Sequence, residues 1–135
     1  MTVELSTRLA TRFQDAVTHT RDALAENGFG VLAEINIAAA LKANLDVDME
    51  DYLVLAACNP GLAHRAITVD REIGLLLPCN VLVRTDPDHP GTVIVDAMDP
   101  GLLAEVTGEP AIVAIAEQVT TRLGAAIASL APRCG

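Results

Sequence analysis

Aromatic side chains make up only 2% of the 135 residues, with Phe13, Phe29 and Tyr52 the whole set and no tryptophan. That removes a stacking platform for nucleic-acid bases and leaves aliphatic packing to build any core. Basic residues are also scarce. Nine Lys and Arg stand against 18 Asp and Glu, a formal net charge of −9 with no Lys/Arg cluster, so neither nucleic acid nor an anionic membrane is expected as a partner. Three cysteines, Cys58, Cys79 and Cys134, lack the dense spacing of a secreted disulfide framework, and a reducing cytoplasm is the expected compartment. The opening MTVELSTRLATR has no basic start followed by an apolar run, and charges are expected to interrupt every apolar stretch before it could span a membrane. Catalytic fingerprints are missing as well. GxSxG, HExxH and EF-hand spacings do not occur, DVDMED lacks the glycine and closing glutamate of a calcium loop, and Gly28-Phe29-Gly30 lacks the third glycine of a phosphate fingerprint.

What is present is an apolar chain, 51% hydrophobic, of a length that buries one substantial core. No linker or repeat divides it, so a single domain over residues 1–135 is expected. Val3, Leu5 and Leu9 alternate as in a strand, and Thr11 with Gln14 forms a capping-box pattern that opens a helix running to about Asn27. Gly28 fits the left-handed position that ends it. GFGVLAEINI reads as a strand, and Asn36 as the cap of a short helix through IAAALKAN. The run from Tyr52 to Cys58 is apolar without alternation, as in a central strand covered on both faces. Asn59-Pro60 then starts a helix, because an Asn cap followed by proline at the first helical position loses no needed donor. A strand from about Cys79 to Arg84, a turn of moderate length, a strand from Thr92 to Met98 and a short helical turn after Asp99-Pro100 follow. Ile112, Ile115, Val119, Leu123, Ile127 and Leu130 mark a long amphipathic helix from about Pro110 to Ala131. The fold class is α+β: a mixed, mainly antiparallel sheet of about five strands against two long helices plus short ones, with a parallel crossover between the strands ending at Cys58 and starting at Cys79 also permitted.

The residues able to carry chemistry cluster in two places where an apolar stretch meets Cys-Asn, AACNPG at Cys58-Asn59 and LPCNVL at Cys79-Asn80. Cys58 stands just ahead of a helix start, where unpaired N–H groups favour thiolate and a lowered pKa is expected. An unpaired cysteine is more often a small buried hydrophobe, and Cys134, next to last in the sequence, is read as part of a frayed terminus. The Cys58 and Cys79 spacing is not CxxC, so whether the sulfurs meet depends on strand direction. His64, on the helix after Asn59-Pro60, is a candidate ligand for haem or another metal, against the plainer reading of a half-exposed helix residue. His19 and His89 read as solvent residues. Glu34, a carboxylate within an apolar strand, must meet water, a cation or a ligand, with Lys42 and Arg65 as candidate partners.

GFGVLAEINI at 28–37, LVLAACNPGLAHRAI at 53–67 and IGLLLPCNVLVR at 73–84 resemble the family known as domain of unknown function 302. The resemblance covers nearly the whole chain and extends to DAMDP at 96–100. It departs at Ala33, where the family often has Thr, at Asn36 in place of an equally capping Asp, and at Ala56 in place of a usual Gly. It implies a small α+β domain, a homodimer of unassigned role, with an association to thiol-redox and sulfur-metabolism modules. The leading expectation is a binding module rather than an enzyme: a cytoplasmic homodimer holding a small molecule near Glu34, Cys58, Asn59, His64, Cys79 and Asn80. Thiol or sulfur chemistry by Cys58 and Cys79 is the second, and haem or metal binding through His64 the third.

Overall fold

The computed structural model describes residues 5–134, with side chains through residue 131. Eleven elements follow in order: β1 (Ser6–Leu9), α1 (Phe13–Glu26), β2 (Gly30–Asn36), α2 (Ile37–Leu45), β3 (Tyr52–Cys58), α3 (Pro60–Val69), a 3₁₀ turn (Arg71–Leu75), β4 (Cys79–Asp86), β5 (His89–Ala97), α4 (Gly101–Thr107) and α5 (Pro110–Cys134). The strands form one sheet in the order β1-β5-β4-β3-β2, and every neighbouring pair is antiparallel. The expected α+β class therefore holds, and the permitted parallel crossover does not occur. After β3 the chain turns into α3, which packs on α5, and β4 returns directly beside the strand it left.

Alternation in the ladder sorts the side chains onto two faces. Leu9, Leu53, Leu55, Ala57, Cys79, Val81, Val83, Val93 and Val95 point to one face and are buried there. Against that face lie α1, which buries Ala16, Val17, Ala23 and Leu24, and α5, which buries its whole expected stripe from Ile112 to Leu130. Pro110–Ala131 is long and apolar enough by length and composition to cross a membrane, although Glu117 and Arg122 interrupt it as expected. Here that apolar stripe is the core's own wall, because it meets α1 and β1 inside the protein.

Local signals in the sequence fared unevenly. Asn36 and Asn59 cap their helices as expected, accepting from Ala39 N at 2.9 Å and Leu62 N at 3.1 Å. The Thr11 box does not form: the cap position is Arg12, without a side-chain cap bond, and its guanidinium pairs instead with Asp15 at 3.2 Å. The helix begins one residue too late for a threonine at position 11 to reach its third turn residue. The β4–β5 connection is also tighter than expected. Asp86 pairs directly with His89, leaving only Pro87 and Asp88 between the strands. The expectations for Val3 and for the Cys134 side chain lie outside the described residues and side chains.

Candidate functional site

Because β3 and β4 run antiparallel with Ala57 opposite Cys79, the end of one strand and the start of the other meet at the same rim of the sheet. Cys58 ends β3 where the chain turns into α3, and Cys79 begins β4 after the Leu77-Pro78 peptide. Both thiols line one apolar hollow of about 20 Å³, together with Asn59. The α3 side chains Leu62 and Ala66 close one wall, Phe29 another, and Ile115 and Val119 of α5 the floor. That volume holds roughly one water-sized group. Leu77, Pro78 and Leu103 form a further wall, shared with a more open apolar groove of about 250 Å³.

The electrostatics reverse the sequence-based expectation for the thiols. Burial pushes the Cys79 thiol up to about 11, with the neighbouring Cys58 adding to it, and burial raises the half-buried Cys58 thiol as well. The α3 N-terminus does not offset this, because the first turn has a proline without N–H and its Leu62 N–H is already taken by Asn59. Both cysteines are thus neutral, weakly polar wall groups at neutral pH.

The other candidates are dispersed. Asn80 points to the opposite face of β4 from Cys79 and lines the neighbouring groove. His64 is exposed and lines a separate surface groove with Arg65, Thr68 and Ala111. Among the described residues no group of three or more His, Cys, Asp or Glu could hold a metal ion, and His64 is therefore not part of such a group. Glu34 is on β2 and pairs with Arg21 of α1 at 3.1 Å, not with Lys42 or Arg65. Lys42 instead bridges Asp46 and Asp48, at 2.9 and 3.0 Å, within its own turn.

Two groups escaped the sequence reading. Arg122 lies one turn beyond Val119 on α5, and its Nη1 is 3.1 Å from where a side-chain carbon on Gly28 would stand, with Asn59 Nδ2 3.0 Å from the same point. Its only sequence signal is that it is the single cation between residues 110 and 131. Asp86, read as a turn former, is buried and joins Arg8 and His89.

The family model of the domain of unknown function DUF302 matches residues 5–130. The chain belongs to this family. No curated protein matches the sequence. Among solved structures, the crystal structure of an uncharacterized conserved DUF302 protein from Bacillus stearothermophilus matches with a TM-score of 0.83 over 100% of both chains, at 24% sequence identity. For this DUF302 domain that likeness establishes the fold alone.

Proposed function

We propose that this DUF302 domain is a cytoplasmic small-molecule-binding module that works as a homodimer. The observation that carries the binding reading is the meeting of Cys58, Asn59 and Cys79, from segments some twenty residues apart, around a single apolar hollow. Its size selects a ligand group of only one or two heavy atoms, and the shared wall of Leu77, Pro78 and Leu103 is where it would widen toward the groove. Xenon is a suitable probe because it enters apolar cavities without hydrogen bonds. Amide chemical shifts of Phe29, Cys58, Leu62 and Val119 should move saturably under xenon in the native protein and not in Ala63→Leu, which fills the hollow. Shifts spread evenly over the surface would defeat the reading.

The dimer is supported by the β2 edge. Among the described residues β2 has only β3 beside it, and Leu32 and Ile35 on it, with Leu45 at the end of the following helix and Val47 beyond it, are exposed, Leu32 by 68%. α2, although rich in alanine and leucine, buries no residue. An apolar edge strand left in this state is a template for pairing with another chain, and a second copy of β2 supplies a matching edge. Sedimentation velocity should give a dimer for the native chain and a monomer for Ile35→Lys; a native monomer at tens of micromolar would exclude it.

A second reading, thiol or sulfur chemistry, is favoured by the two cysteines facing one hollow. It requires thiolate, which their raised pKa values oppose at neutral pH. Haem or metal binding through His64 has no comparable support in the site's geometry.

A further inference from the structure

Resting on the binding-module reading, we propose that the hollow's occupant is a single soft monovalent metal ion, copper(I), held between the thiolates of Cys58 and Cys79. The walls set the chemistry. Among the described residues, the side chains lining the hollow offer hydrocarbon, two thiols and the Asn59 amide, and Asn59 Oδ1 is already taken by the Leu62 N–H at 3.1 Å. No carboxylate or imidazole lines it. Calcium and magnesium need shells of oxygen ligands, and zinc takes four donors of sulfur, nitrogen or oxygen, so a wall of two thiols fails all three. Copper(I) is soft, prefers thiolate, and is satisfied by two sulfurs in a line. No cluster of three or more His, Cys, Asp or Glu fit for a metal occurs among the described residues, and a two-coordinate ion needs none.

Strand geometry supplies the other half. Ala57 faces Cys79 across the β3–β4 ladder, which makes Cys58 the diagonal neighbour of Cys79, with Cα atoms about 6 Å apart. Cys58 stands where β3 gives way to the α3 cap, and both cysteines line the hollow. In a space of about 20 Å³ the occupant is one atom or one small group, so whatever enters lies against both cysteines. Each Cu–S bond forms as one S–H bond breaks, two protons leave to solvent, and no electron moves. Burial makes the thiols hold those protons firmly, Cys79 up to about 11, so protons compete with the ion and release it as pH falls.

The test titrates the full, reduced chain under anaerobic conditions with copper(I) as its acetonitrile complex, against bicinchoninate, a coloured copper(I) chelator. The native protein should withdraw one ion per chain and gain a thiolate-to-copper ultraviolet band, in a window that the absence of tryptophan and a single tyrosine leave open. Cys58→Ser and Cys79→Ser, checked for native amide spectra, should each lose the competition, and Cys134→Ser should keep it. Ala63→Leu, which leaves all three thiols in place and fills the hollow, should lose it too. Affinity should rise about a hundredfold per pH unit near neutrality, about tenfold for each of the two protons displaced. Any of six results overturns the proposal: no withdrawal of copper, one ion per two chains, either Cys58→Ser or Cys79→Ser binding as the native chain does, undiminished binding by Ala63→Leu, zinc(II) displacing the copper(I), or a Cys58–Cys79 disulfide that survives thiol reductant in place of the ion. Amide shifts moved by xenon without copper(I) binding remove this inference alone. Failure of both probes removes the hollow as a binding place.

Discussion

The two ends of β4 bury groups of opposite temperament. Cys79 at its start is 5% exposed and Asp86 at its end 6%. Around Cys79 there are apolar walls and a second thiol, and burial, with Cys58 adding to it, keeps its proton on. Around Asp86 stand the Asp88 N–H at 2.9 Å, the Arg8 guanidinium and His89 Nδ1 at 3.3 Å. The carboxyl is held below its ordinary value, first by that backbone hydrogen bond against the cost of burial, then by Arg8 and His89. Similar exposure thus gives a neutral group at one end and an ion at the other, because the number of donors in reach decides which form is stable. The donor-poor end suits an apolar guest. The donor-rich end ties β1 to the β4–β5 turn.

Exchanging the chemistry of the two ends should produce the largest effect. Cys79→Asp places a carboxylate where no donor waits, and urea unfolding should show a loss of about 3–5 kcal/mol or a carboxyl that stays protonated near neutrality. A stable, ionised Asp at 79 would mean that the wall is wetter than its lining implies. Next comes the alkaline limb. With Cys79 raised from 9.0 to about 11, the unfolded chain ionises first, so its contribution is intact below pH 9 and lost as pH rises to 11. That amounts to about 2–3 kcal/mol, and Cys79→Ala should remove this pH dependence. A smaller acid limb belongs to Asp86: its contribution is complete above the ordinary carboxyl value of 3.8 and disappears as pH falls through the lower folded value. Asp86→Asn should flatten stability in that range, and an unchanged acid profile would show that the partners do little. The mildest change is at the cap beside the thiol end, where Asn59→Ala should cost about 1 kcal/mol in the same denaturation assay. Alkylation at neutral pH should be slow at both thiols, with half-buried Cys58 ahead of Cys79; a Cys79 that reacts as fast as a free thiol would contradict its enclosure.

Legibility in the sequence followed the range of the forces involved. The α5 stripe, the Asn36 and Asn59 caps and the Gly28 stop could all be read because periodicity, caps and left-handed glycines act within a few residues of themselves. The Thr11 box failed at the same scale, since a one-residue shift of the helix start let Arg12 and Asp15 pair instead. The family blocks carried the fold class further than any single pattern did.

The sequence alone determined the α+β composition, the long core helix and the two Cys-Asn junctions as places where strands begin or end. Tertiary structure decided that β3 and β4 run antiparallel, which brings Cys58 and Cys79 to one rim and sends Asn80 to the other face. It also gave Glu34 to Arg21 and set Arg122 over Gly28. These outcomes depend on strand direction and helix docking, both fixed by burial summed over the whole core, a quantity that no short window of residues contains.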